Sequence, residues 1–215
     1  LSNKYELKHH ILGHSVSEEQ EVEFLGRSIR WTRDGLEYEA GTKHVQALLS
    51  DWNMYNCRSV STPSTGPEKG QGEMSQPPLS EAQVAKIRRG AALCNYLAQD
   101  RCDIGYATKE VARSMANPLP EDEVRLKRLI RYLRHHPRGV YMFAWQSPTG
   151  DITCYVDSDW GGEESTRKST SGGDAMIEDS EGYEMSVKHW GASQATVALS
   201  SGEAEVKAVV RGIIE

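Results

Sequence analysis

Residues 151–215 read DITCYVDSDWGGEESTRKSTSGGDAMIEDSEGYEMSVKHWGASQATVALSSGEAEVKAVVRGIIE. Positions 152–157 alternate, with Ile152, Cys154 and Val156 on one side and Thr153, Tyr155 and Asp157 on the other. That is the two-residue period of a strand, built from residue types that strands favour. The run ends at the carboxylates Asp157 and Asp159, followed by Trp160 and the turn pair Gly161-Gly162. Residues 169–177 and 183–190 read as two more strands, joined into a hairpin by a turn at Glu181-Gly182. Leu199-Ser200-Ser201 then leads into a helix that begins GEAEVKAVV.

The carboxylates of this stretch are not equivalent. With Ser200 as N-cap, Glu203 falls at the third helical position, the Ser-x-x-Glu arrangement of a capping box. Glu205 has no such structural task. It shares a face with Ala208, Val209 and Gly212, a small apolar face expected to pack on the sheet. A carboxylate there is costly to bury unless a cation or donor meets it. Asp157 on the first strand can supply the second half of such a site, and two converging acids with no Lys or Arg between them suit a hard divalent ion such as Mg²⁺. Asp159 has two candidate roles, an outer-sphere ligand or a cap of the Gly161-Gly162 turn.

YVDSDW (155–160), RKSTSG (167–172) and TVALSSGEAEVKA (196–208), in that order, resemble the ribonuclease H domain of copia-type LTR retrotransposon Pol polyproteins. The resemblance implies an α/β fold with a ribonuclease H-like mixed sheet. It also implies cleavage of the RNA strand of RNA–DNA hybrids with two Mg²⁺ (or Mn²⁺) ions. By position, the first catalytic and metal-binding Asp matches Asp157 and the catalytic, metal-binding Glu matches Glu205. Two residues depart from the pattern: Gly173 stands where an aromatic usually follows RKSTSG, and Val206 stands where Tyr is common. The family's third carboxylate lies on a strand after this helix, whereas this chain ends at Glu215. The expectation is a domain truncated after its first helix and inactive alone.

The rest of the chain is consistent with a larger polyprotein. At 215 residues it has room for one or two cores. No apolar run approaches the ~18 residues of a membrane span. The start at Leu1 and the end inside a helix point to a fragment. Cys57, Cys94, Cys102 and Cys154 match no zinc spacing, and a reducing intracellular compartment, cytoplasm or nucleus, is expected. Residues 21–29 alternate loosely as one strand, Asp34-Gly35 is a turn signal and 36–39 returns as a second strand. Thr42 is placed to cap a helix with Val45, Leu48, Leu49 and Trp52 on one face. Residues 61–80, rich in Ser, Pro, Gly and Thr, read as a flexible linker.

Three helices follow. The first runs from a Ser80 cap to about Gln99, the second from an Asp103 cap to Ala116, and the third begins after Pro120. The third carries acids in its first turn and Arg134, His135 and His136 in its last, matching the helix dipole. Its stripe is Leu126, Leu129, Ile130 and Leu133. Opposite lie Lys127, Arg131 and Arg134, with Arg125, Arg128 and Arg138 nearby, and no acid interrupts residues 124–138. Net charge is −6, so the chain as a whole does not advertise polyanion binding. A local cluster still serves it, because phosphate contacts are short-ranged.

FLGRSI (24–29), NYLAQDRCDIGYATKEVARSM (95–115) and RLKRLIRYLRHHPRGV (125–140) also resemble copia-type segments. The resemblance assigns 1–60 to the end of the reverse transcriptase palm and the start of the thumb, with a short β-hairpin. It assigns 61–80 to the linker, 81–147 to a mainly helical thumb/connection, and 148–215 to the N-terminal part of the ribonuclease H-like domain. The implied partners are an RNA–DNA hybrid or other nucleic acid, bound through Lys127, Arg128, Arg131, Arg134 and Arg138, and the remaining reverse transcriptase domains, with no membrane. The competing expectation is a non-catalytic nucleic-acid-binding relic or domesticated module of such an element.

Overall fold

The computed structural model describes residues 10–15, 17–65, 77–147, 149–163 and 166–215. Positions 66–76 of the expected linker lie outside the described residues. The described chain is mixed α/β, with two antiparallel sheets and five helices. It divides into two compact units. One comprises the described residues up to Lys43 with Arg138–Trp145, the other His44–Pro137 with Gln146–Glu215.

The first unit is a four-stranded antiparallel sheet in the order β1 (Glu21–Phe24), β2 (Arg27–Trp31), β3 (Gly35–Ala40) and β4 (Val140–Ala144). The single strand expected over 21–29 is therefore two. Phe24 pairs with Arg27 across a two-residue turn, in which Leu25 and Gly26 both take positive φ, 51° and 75°. Positive φ at both central positions is the turn whose twist matches a hairpin. Leu rarely adopts it, so the residue type hides the turn. The Asp34-Gly35 turn is present, with Thr32 Oγ1 donating to the Gly35 carbonyl at 2.8 Å.

An ionic cluster fastens β4 to this sheet. Glu39, 7% exposed, accepts both Arg138 Nε (2.5 Å) and Nη2 (2.8 Å), and it also pairs with Arg30. Arg30 further bonds Glu37 at 2.9 Å and Glu21 at 3.0 Å. The Arg138 hydrogen bonds, together with Arg30, hold the Glu39 carboxyl at about 2 against its burial.

In the second unit, helices α1 (Lys43–Asp51), α2 (Glu81–Ala98), α3 (Cys102–Arg113) and α4 (Pro120–His135) share one apolar core. Leu48, Ile87, Ile104, Leu126, Leu129, Ile130 and Leu133 are fully buried in it. Each contributes about 2 kcal/mol by leaving water. Ser80 caps α2 in a reciprocal box with Gln83, whose Oε1 accepts the Ser80 N–H at 3.0 Å.

The cap of α3 differs from expectation. Arg101 is the N-cap, and Asp103 lies inside the first turn. Arg101 is buried, and its charge takes Asp103 as a bidentate partner at 2.8 and 2.7 Å, which removes the Asp from capping. At α4, Asp122 accepts the Leu119 N–H at 2.8 Å and closes the helix start.

The same unit contains a sheet in the order β5 (Thr149–Ser158), β6 (Thr170–Asp179), β7 (Glu184–Ser193), followed by helix α5 (Ser201–Ile214), which lies against β5 and β6. Asp179 Oδ1 accepts the Glu181 and Tyr183 N–H groups and shapes the β6–β7 turn. Hydrogen bonds tie the helices to this sheet: Lys109 Nζ donates to Thr170 Oγ1 at 2.6 Å, and His189 Nε2 lies 3.2 Å from the Ala98 carbonyl.

Candidate carboxylate site

Strand alternation decides which way Asp157 faces. Cys154 and Val156 lie under α5: a Cβ built on Gly212 would stand 2.6 Å from Val156 Cγ1 and 3.1 Å from Cys154 Sγ. Only glycine permits that approach. Ser158 continues this helix-covered face, so Asp157 belongs to the other face. Across the sheet Asp157 pairs with Gly172, which pairs with Gly191. Neither glycine would bring a Cβ within 3.4 Å of any atom, so the row beside the Asp157 carboxylate carries no side chains.

Glu205 lies on α5, but not on its packed face. The buried residues are Ala204 and Ala208, while Glu205 and Val209 are exposed. The helix is turned from the expected orientation because Ala204, Ala208 and Gly212, at i, i+4 and i+8, form the thinnest stripe and so allow the closest approach to β5. Asp157 and Glu205 are both exposed, and neither has a hydrogen bond or ion pair among the described residues. Each is a hard oxygen donor without a competing cation, but Asp157 is on the sheet face away from α5, which carries Glu205, and no contact joins the two acids among the described residues. Among the described residues no group of three or more His, Cys, Asp or Glu is placed to hold a metal.

The other acids of the motifs have structural partners. Glu203 donates its N–H to Ser200 Oγ at 3.1 Å. Its carboxylate accepts the Leu199 N–H at 2.8 Å, one residue before the N-cap position expected for a capping box. Lys207 bonds the same carboxylate at 2.8 Å, and together these bonds hold it below the usual carboxylate range, the lysine first. Asp159 Oδ1 accepts the Thr170 N–H at 2.7 Å and the Gly162 N–H at 3.4 Å, and so closes the turn between β5 and β6. Trp160 Nε1 donates to the Ala198 carbonyl at 3.2 Å.

The serines of RKSTSG and a glutamine unmarked by any motif complete the surroundings. Ser169 is fully buried, and its Oγ accepts the Gly161 N–H at 3.0 Å. Gln194, 7% exposed, places Nε2 at 3.1 Å from Ser158 Oγ, 3.0 Å from Ser171 Oγ and 2.9 Å from the Ala204 carbonyl. The only signal for Gln194 is its position, a polar residue just after a strand and ahead of a helix cap. Gly173, where an aromatic was expected, lies opposite Trp190, whose ring occupies the space a side chain there would need.

The basic row of α4 is lined by the chain's own backbone. Arg134 Nε donates to the Tyr55 carbonyl at 2.6 Å, Arg131 Nε to Arg58 at 3.0 Å, and Arg128 Nη2 to Thr62 Oγ1 at 2.9 Å. Lys127 pairs with Glu123 at 2.6 Å, and Arg138 with Glu39. Each arginine bond uses part of a guanidinium that carries five donors. The partners of this row are in 55–62, α4 itself and Glu39, whereas Asp157 and Glu205 are on β5 and α5.

Among curated proteins, the chain is 31% identical over 188 residues to the "Uncharacterized mitochondrial protein AtMg00810" of Arabidopsis thaliana, covering 86% of this chain and 73% of that one. It is 30% identical over 134 residues to the "Retrovirus-related Pol polyprotein from transposon TNT 1-94" of Nicotiana tabacum, 60% of this chain and 10% of the relative. It is 29% identical over 160 residues to the "Retrovirus-related Pol polyprotein from transposon RE1" of Arabidopsis thaliana, 74% of this chain and 10% of the relative. The chain thus spans about a tenth of the Pol polyproteins it matches. No family model matches it. No solved structure matches it either.

Proposed function

Because this chain belongs to the family of copia-type retrotransposon Pol polyproteins, we propose that it is the reverse transcriptase–ribonuclease H junction of such a polyprotein. Residues 1–60 are the end of the palm and the start of the thumb, 61–80 a linker, 81–147 the helical thumb/connection, and 148–215 the start of a ribonuclease H-like domain. In this reading β5, β6, β7 and α5 form the first part of a ribonuclease H sheet and its first helix. Its activity is hydrolysis of the RNA strand of an RNA–DNA hybrid.

The observation that carries this reading is that Asp157 and Glu205, two acids in motif positions, have no hydrogen bond or ion pair among the described residues, while Asp159 and Glu203 beside them are both engaged. In the complete domain Asp157 and Glu205 would hold Mg²⁺, which when bound supplies Lewis-acid activation of water and neutralises charge at the phosphate. The glycine row beside Asp157 admits a backbone to the carboxylate without side-chain obstruction. Arg131 and Arg134 use one Nε each on the 55–62 segment and keep further donors for phosphate.

The test is RNA–DNA hybrid cleavage in Mg²⁺ by a Pol polyprotein that carries this segment. Cleavage is expected, and it is expected to vanish in Asp157→Asn while hybrid binding persists. Cleavage unaffected by that change overturns the assignment. One observation favours a second reading, a non-catalytic nucleic-acid-binding module: among the described residues no three acids are grouped to hold a metal. Hybrid binding without cleavage in that same polyprotein is its signature.

A further inference from the structure

The chain that follows α1 runs along the basic row of α4 in the direction opposite to the helix. Tyr55 meets Arg134, Cys57 meets His135, Arg58 meets Arg131 and Thr62 meets Arg128. The first three offer backbone carbonyls, at 2.6, 3.2 and 3.0 Å. The core fixes the start of this segment. Met54 packs against it and donates its N–H to the Leu49 carbonyl at 2.9 Å, and the Tyr55 hydroxyl donates to the Gln46 carbonyl at 3.3 Å. From Arg58 to Thr65 no backbone–backbone hydrogen bond is made among the described residues, so side chains of α4 set its course.

These contacts aim the guanidinium groups. Arg131 and Arg134 both donate through Nε. A carbonyl at Nε leaves the Nη1–Nη2 edge, whose two prongs match two oxygens of a phosphate. The two residues are three apart, so their forks are neighbours on the helix surface, about 4.5 Å from each other along the axis. Arg125, Lys127 and Arg138 pair with Asp122, Glu123 and Glu39, whereas Arg131 and Arg134 meet only uncharged acceptors among the described residues. Their charge is oriented without being neutralised. Arg128 differs: its Nη2 donates to Thr62 Oγ1 at 2.9 Å while its Nε is buried without a partner, so it holds the far end of the segment and offers no Nε edge.

We propose that the 55–62 segment belongs to the phosphate site of α4: its carbonyls aim Arg131 and Arg134 beforehand, and it stays in place when a nucleic-acid backbone binds. This rests on the assignment of the α4 row to nucleic-acid phosphates. A long side chain that is free in solution must be ordered by its ligand, which weakens binding, and here the chain's own carbonyls do the ordering. Because carbonyls carry no net charge, they leave intact the positive charge that attracts the phosphate. Such a segment changes affinity without changing the number of phosphates neutralised.

The probe is a short RNA–DNA hybrid, titrated with the 215-residue chain over a range of salt and well below the melting temperature of each variant. Ser59→Gly, Val60→Gly and Ser61→Gly together loosen the segment and leave every arginine in place. This change is expected to weaken hybrid binding at least about fivefold while the slope of log affinity against log salt stays the same. Thr62→Val, which removes only the acceptor of Arg128, is expected to weaken binding less, and it covers the case of a triple variant that does not fold. Bound hybrid is expected to slow proteolysis within 55–62. Unchanged affinity in both segment variants overturns the proposal. Faster proteolysis there with hybrid bound also overturns it, since the segment would then be a competitor of the phosphate. A salt slope that ignores Arg131→Ala with Arg134→Ala, or no hybrid binding at all, sinks the row as a phosphate site instead.

Discussion

Trp190 lies across Gly173, its partner in the β6–β7 ladder, and the indole occupies the volume a side chain at 173 would take. A Cβ built on Gly212 of α5 would stand 3.7 Å from the same ring. The aromatic expected just after RKSTSG is thus supplied from the neighbouring strand. Gly173→Ala is expected to cost about 1–3 kcal/mol by overpacking, read as a shifted denaturation midpoint. Gly173→Phe should cost more, and Gly173→Phe with Trp190→Gly should recover much of the loss. A neutral Gly173→Phe would show that the ring moves aside freely.

The Glu39 cluster predicts acid sensitivity of the first unit. The Glu39 carboxyl is held at about 2 in the folded chain against an ordinary value of 4.5. Its folded value is depressed, so its contribution is complete above about pH 4.5 and is lost as pH falls toward 2. Trp31 and Trp145, with ring centroids 4.3 Å apart in this unit, report the loss by fluorescence. Glu39→Gln is expected to be less stable at pH 7 and to lose little more between pH 5 and 2. A parent chain whose first unit is equally stable at pH 3 and pH 7 contradicts this account.

On α4, Arg131 and Arg134 are expected to serve phosphate and the 55–62 segment together. Replacing both by Ala should lower the slope of log affinity against log salt for hybrid binding by roughly 2. It should also speed proteolysis within 55–62, whose carbonyls they hold. Faster proteolysis with an unchanged slope assigns these side chains to the segment alone.

The two glutamates of α5 should separate by readout. Glu205→Gln is expected to abolish hybrid cleavage in the complete polyprotein and to leave stability within about 0.5 kcal/mol, since no hydrogen bond or ion pair holds that carboxylate among the described residues. Glu203→Gln should keep cleavage and cost about 0.5–1 kcal/mol through weakened capping. The reverse pattern would exchange their roles.

Elements whose signals are local were legible from the residues alone. The Ser80 cap marked the start of α2, the acidic first turn matched α4, two-residue alternation marked β5, and the Glu181-Gly182 turn joined β6 to β7. Features decided by distant partners were not. β4 pairs with β3 from about a hundred residues away, and nothing in its five residues names that partner. The α5 face was off by one residue, because Ala204 rather than Glu205 meets the strand where Gly212 lets the helix in. Gln194 has no motif of its own, and its role exists only where a strand, a second strand and a helix turn come together.

The order of the chain also has a consequence during synthesis. When β3 leaves the ribosome, one of its sides is already matched by β2, but the strand for the other side has not yet been made. Every residue of α1 to α4 must be translated before β4 appears. At ~5–20 residues per second that interval is on the order of ten seconds, far longer than local helices need to form. The helical core is therefore expected to be assembled before the first sheet is finished. Meanwhile β3 offers an open row of backbone donors and acceptors to any neighbouring nascent chain on the same messenger.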